Sequence, residues 1–90
     1  MKIKDNFVLQ TIADEYIVVP VAEEAMRING VIKLNATGAF LWELLSQKDC
    51  DEKELVEKTI AQYHIRPEDT ERDVKAFLKT LCEFGCFEHI

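Results

Sequence analysis

The sequence predicts an α+β fold, a three-stranded antiparallel sheet followed by three helices. Three observations carry that prediction. Up to Leu34 the chain reads as short β-branched and aromatic runs punctuated by Pro and Gly. From Ala36 onward its apolar residues recur at helical spacing. Between the two textures stands Leu34-Asn35-Ala36-Thr37-Gly38, where Asn35 is a good helix N-cap, because its side-chain oxygen accepts from a first-turn amide that has no other partner.

Phe7 to Ile12 reads as a first strand. Ala13-Asp14 is a turn candidate, although it lacks the Gly or Asn that tight hairpins favour. Glu15 to Val19 is a second strand, and Pro20 has no amide for a ladder, so regular pairing should end near it. Ala22 to Met26 has helical propensity but is too short to be stable alone. Asn29-Gly30 is a tight-turn signal with two outcomes. It closes a small hairpin between Met26–Ile28 and Val31–Leu34, or it opens a third strand that pairs with the second. That third strand is Gly30, Val31, Ile32, Lys33 and Leu34, with Ile32 and Leu34 on one face and Val31 and Lys33 on the other. A meander of these strands leaves the first and third as edges.

The first helix is predicted over Ala36–Gln47, with Leu41, Leu44 and Leu45 on its inner face and Trp42, the chain's one Trp, filling the core. Asp51-x-x-Glu54 resembles a capping box and opens a second helix that ends near His64. Its buried stripe is Leu55, Val56, Thr59, Ile60 and Tyr63. Pro67 suits the first position of a third helix. Arg66 before it is a poor N-cap, so a start at Asp69 or Thr70 is the alternative. Val74, Phe77, Leu78 and Leu81 form the core stripe, and Gly85 supplies the left-handed stop. Short turns between helices after a strand meander resemble a winged helix-turn-helix.

Ninety residues amount to one domain, and 48% hydrophobic content can furnish its core. No apolar run approaches the roughly 20 residues of a membrane span. The basic start, Met1 to Asn6, is not followed by an apolar signal core, so a cytoplasmic protein is expected. The net charge is −6. A general nucleic-acid binder must neutralise phosphates and is usually basic. Acidity suits solubility, or a partner that carries Lys and Arg.

Catalytic signatures are missing. No Gly-rich phosphate loop, Gly-x-Ser-x-Gly or His-Glu-x-x-His occurs in the sequence. His64 and His89 sit at element ends. With three cysteines in a reducing compartment, free thiols are expected. Cys82-x3-Cys86-x2-His89 offers three ligands in principle. The spacing is not a standard zinc pattern and Gly85 interrupts it, so Cys82 and Cys86 read as small residues at a helix end. No cofactor or metal is expected.

Leu-Asn-x-Thr-Gly-x-x-Leu-Trp-x-Leu-Leu, over Leu34–Leu45 with strands before and two helices after, resembles the PqqD family. These small proteins, named for pyrroloquinoline quinone biosynthesis, are recognition elements for ribosomally made, modified peptides. The resemblance runs from about Phe7 to the C-terminus. It implies a non-catalytic adaptor that binds the leader segment of a precursor peptide and delivers it to a modifying enzyme, often a radical S-adenosylmethionine protein. In the family the leader adds as an antiparallel strand to the third strand, and the last helix forms the facing wall. Carried over, the edge is Gly30, Val31, Ile32, Lys33 and Leu34, and the wall candidates are Glu71, Arg72, Lys75 and Leu78. Each wall candidate is equally readable as an ordinary helix-surface or core residue. The resemblance gives Asp73 a local structural role, such as bonding the first turn of the Ala36–Gln47 helix.

Two other functions fit the pattern less well. A winged-helix transcription regulator would present Arg72, Lys75 and Lys79 to DNA, but Glu68, Asp69, Glu71 and Asp73 share that helix. A general protein-interaction module would use the same strand edge. A monomer or weak homodimer is expected, since an open edge invites direct pairing or hairpin exchange.

Overall fold

The computed structural model describes residues 1–27 and 30–88. Strand β1 (Phe7–Ile12) and strand β2 (Glu15–Pro20) form an antiparallel hairpin whose register runs from Ile12 opposite Glu15 to Phe7 opposite Pro20. The two residues between them, Ala13 and Asp14, both take positive φ, 50° and 66°. That is the geometry of a two-residue hairpin turn, adopted here without the Gly or Asn that makes it easy. Pro20 closes the ladder at its last register position, where its missing amide costs least.

After β2 the chain makes one turn of helix, α1 (Glu23–Arg27). Burial and one contact from outside the helix add to what propensity alone does not supply: Glu24 is buried, its carboxylate 3.8 Å from Lys4 and, within the helix, 3.3 Å from Arg27. With residues 23–27 helical, the alternative Met26–Ile28 hairpin does not form; Ile28 and Asn29 themselves lie outside the described residues. Strand β3 (Ile32–Leu34) instead pairs with β2, Val18 opposite Ile32 and Tyr16 opposite Leu34. It is shorter than the expected Gly30–Leu34. Gly30 has φ of 99°, a left-handed turn of the backbone that holds it and Val31 out of the ladder. The sheet order is β1-β2-β3, so β1 and β3 are the edges.

Helix α2 (Ala36–Gln47) begins where Asn35 accepts from the Gly38 amide at 2.7 Å. Helix α3 (Glu52–Tyr63) is capped by Asp51 on the Glu54 amide at 2.8 Å and stops at His64 in the left-handed conformation. Helix α4 (Pro67–Phe84) begins at Pro67 and not at Asp69 or Thr70. Arg66 supplies no side-chain cap; its guanidinium bonds Asp69 at 3.0 Å, and its carbonyl accepts from the Thr70 hydroxyl at 3.0 Å. Gly85, with φ of 81°, ends the helix as the sequence implied.

One core joins the sheet to the helices. Val18 and Ile32 meet Leu41, Trp42 and Leu45 from α2, Leu55 and Val56 from α3, and Val74, Phe77, Leu78 and Leu81 from α4. Trp42 is buried, as its apolar bulk requires. Tyr63 departs from the expected stripe: it is 38% exposed at the last residue of α3, its ring edge-on to Phe40 with centroids 5.5 Å apart. The segment before β1 and the chain after α4 lie side by side, Lys4 donating to the Cys86 carbonyl and Glu88 to that of Lys2. Among the described residues, no helix is long and apolar enough to cross a membrane.

Candidate functional site

β3 is the sheet edge nearest the helices, and its outer side has no strand partner among the described residues. In an antiparallel ladder alternate residues direct N–H and C=O to opposite sides. The edge therefore presents backbone donors and acceptors to whatever lies beside it. Beside it runs a groove of about 310 Å³. One wall is Ile32, Lys33 and Leu34 of β3, continuing into Asn35, Thr37 and Gly38 at the start of α2. The facing wall is Asp73, Ala76, Phe77 and Thr80 of α4.

The local fold explains both walls. Ile32 is buried and Leu34 half-buried, so the inward face of β3 contributes the apolar side of the groove, while Lys33 points out and meets Glu15 at 3.1 Å. Gly38 lets α2 approach the strand closely: a Cβ at this position would lie 3.2 Å from the Leu34 Cβ and 3.3 Å from the Asn35 Oδ1. Asp73, Ala76, Phe77 and Thr80 follow the i, i+3, i+4, i+7 spacing of one helix face. Phe77 belongs both to this face and to the core, which roots the groove floor in the interior. The charged groups are partnered. Asp73 lies 3.6 Å from the Arg72 guanidinium, and that guanidinium lies 3.5 Å from Asp69.

The wall residues expected from the sequence lie elsewhere. Glu71, Lys75 and Leu78 share an α4 face roughly half a turn from Asp73 and Thr80, as 3.6 residues per turn dictates. Leu78 is buried in the core, and Glu71 borders a depression between α3 and α4 with Val56, Glu57 and Ile60. That depression, about 360 Å³, is slightly larger than the groove, but no strand edge borders it. Arg72 and Lys75 are exposed and do not line the groove. Asp73 makes no bond to the first turn of α2, where Asn35 already holds the Gly38 amide; it faces that turn across the groove. Of the strand residues, Ile32, Lys33 and Leu34 line the groove, whereas Gly30 and the 51%-exposed Val31 precede the ladder.

Two of the three candidate metal ligands at the helix end lie among the described residues. Cys82 is exposed and Cys86 fully buried, and burial pushes the Cys86 thiol up to about 12, which keeps it protonated. His89, the third candidate ligand, lies outside the described residues. No three His, Cys, Asp or Glu side chains cluster to hold a metal among the described residues.

An open three-residue edge beside a groove walled by one face of α4 gives a small α+β domain room for an extended segment along β3. Residues 15–86 match the family model described as coenzyme PQQ synthesis protein D (PqqD), and the chain belongs to that family. No curated protein matches it. Two solved structures share the fold. One is TbiB1 in complex with the TbiA(beta) leader peptide, 28% identical, with a TM-score of 0.74 over 100% of this chain and 98% of that one. The other is a lasso peptide synthetase B1 complexed with the leader peptide, 16% identical, with a TM-score of 0.72 over 94% of this chain and 93% of that one.

Proposed function

We propose that this chain is a non-catalytic adaptor that binds the leader segment of a ribosomally made precursor peptide and hands it to a modifying enzyme. The observation that carries the reading is the open β3 edge facing α4 across an apolar-floored groove. Family membership and the likeness to two proteins solved with leader peptides support it. The leader lies antiparallel to Ile32–Leu34. Main-chain hydrogen bonds supply affinity, and alternate side chains, seated over Ile32, Leu34, Leu41 and Phe77, supply specificity. Handover requires release, which fits an affinity of about 8 to 10 kcal/mol. The modifying enzyme is a radical S-adenosylmethionine protein on the family pattern, and the adaptor needs no cofactor of its own.

An amide NMR titration tests this. The labelled protein is titrated with leader peptides encoded beside its gene. Shifts should concentrate on Ile32–Leu34 and on Asp73, Ala76, Phe77 and Thr80. Shifts centred instead on Glu71 and the α3–α4 depression, or none with any such leader in a folded sample, would overturn the reading.

A further inference from the structure

The other sheet edge points to a second kind of contact. β1 is six residues long, twice the length of β3, and its sequence FVLQTI carries no charge. Its outer side has no strand partner among the described residues. Natural edges of this length are usually guarded by Lys, Pro or a bulge. β3 is guarded by brevity and by Lys33, whereas β1 has neither protection.

Exposure along β1 is arranged by face. Val8, Gln10 and Ile12 alternate on the solvent side, and all three are exposed, Val8 by 36% and Ile12 by 54%. Phe7 and Leu9 face the core. Two copies of β1 related by a two-fold axis perpendicular to the sheet can pair antiparallel only with residues of the same face opposite one another. A two-fold at Gln10 places Val8 opposite Ile12 of the second copy, and does so twice. It covers both exposed apolar side chains, sets the two Gln10 amides face to face and puts Leu9 opposite Thr11. No like charges oppose one another along the strand.

We propose that β1 is a self-pairing edge whose occupant is a second copy of this chain, joined through a two-fold at Gln10 into a continuous six-stranded sheet. The β3 edges then lie at the two outer ends of that sheet and stay open. Each dimer would carry two leader grooves facing away from its centre. One strand pair covers less surface than a stable interface needs, so the dimer is weak, populated at roughly 0.1–1 mM. Two chains of net charge −6 repel, while the edge itself is neutral. Salt should therefore strengthen the association by screening that repulsion.

Disulfide trapping tests the register. In an antiparallel pair directly opposed Cα atoms lie about 4.5–5.5 Å apart, within the span a disulfide accepts. Gln10→Cys is made with Cys82→Ser, leaving only buried native thiols, and is oxidised with diamide near 0.5 mM. The expected result is a disulfide-linked dimer that Val8→Cys in the same background does not give, because position 8 faces position 12 and not itself. Alongside it, sedimentation of the unaltered protein should show an average mass that rises with concentration and with salt, and Val8→Lys should abolish that rise. A monomeric Gln10→Cys sample with a native NMR spectrum, or equal trapping through Val8→Cys, would overturn the proposal.

Discussion

Gly38→Ala should destabilise the protein, although the exchange normally favours a helix. Gly38 lies in the first turn of α2, where replacing Gly with Ala is worth up to about 1 kcal/mol in helix propensity. Three contacts oppose that gain. The new methyl would meet the Leu34 Cβ at 3.2 Å, the Leu34 Cδ2 at 3.4 Å and the Asn35 Oδ1 at 3.3 Å. The Cδ2 can swing aside, but the Cβ is fixed to the β3 backbone. The Asn35 oxygen is the helix cap, 2.7 Å from the Gly38 amide, and displacing it puts at risk an interaction worth about 1 kcal/mol. Overpacking at a fixed contact costs about 1–3 kcal/mol. The balance is a net loss of about 1–2 kcal/mol, read in urea as a midpoint lowered by about 0.5–1 M at unchanged slope. The strain falls on Leu34, so leader affinity should fall with it. A variant as stable as the parent, or more stable, would refute the view that this glycine exists to seat α2 against the strand.

Two further outcomes follow from local geometry. Replacing Ala13-Asp14 with Asn-Gly should relieve two positive-φ residues and raise stability by about 1 kcal/mol, seen in calorimetry as a melting temperature higher by about 4–8 °C. Burial raises the Cys86 thiol from an ordinary value of 9.0 to about 12, so the folded chain holds its proton more tightly than the unfolded one. Stability from this site is complete below about pH 9 and is lost as pH rises toward 12; Cys86→Ala should flatten that alkaline limb of a denaturation–pH curve.

Much of this architecture was legible because local signals and burial agreed. Asn35, Asp51 and Gly85 are end signals whose mechanism is contained in a few residues, and all three act where the sequence places them. The Val74, Phe77, Leu78, Leu81 stripe is likewise buried throughout. What was not legible depends on the rotation of α4 against the sheet. The core stripe says which face of α4 points inward, but not which flank of that face meets β3 and which meets α3. Choosing positions expected to be exposed selected Glu71, Arg72, Lys75 and Leu78, of which Glu71 borders α3 and Leu78 is buried in the core. The groove flank carries Asp73, Ala76 and Thr80, two of them small and uncharged, with no polarity signal to mark them. Their spacing around Phe77 was the available clue. Arg66 misled for another reason: Pro67 presets the first helical turn and has no amide that needs a partner, so the helix starts there without a side-chain cap.

The groove floor and the core are the same material, and that separates two kinds of groove variant. Ile32, Leu41 and Phe77 line the groove and also pack with Val18, Trp42 and Leu81. The groove is therefore formed before any peptide arrives, and in the proposed binding the ordering cost falls on the peptide. By linkage, a leader held at a hundred times its dissociation constant must stabilise the folded chain by about 2.7 kcal/mol, roughly 10–20 °C in melting temperature for a chain of this size. Phe77→Ala removes floor and core together and should lose about 3–5 kcal/mol of stability along with leader affinity. Ala76→Trp obstructs the groove from an exposed wall position and should abolish the leader-induced rise in melting temperature while leaving the peptide-free protein within about 0.5 kcal/mol of the parent. Calorimetry with and without leader reads both. An Ala76→Trp protein that keeps the full leader-induced rise would mean that the peptide bypasses the groove, and the β3 edge would lose its claim to be the binding site.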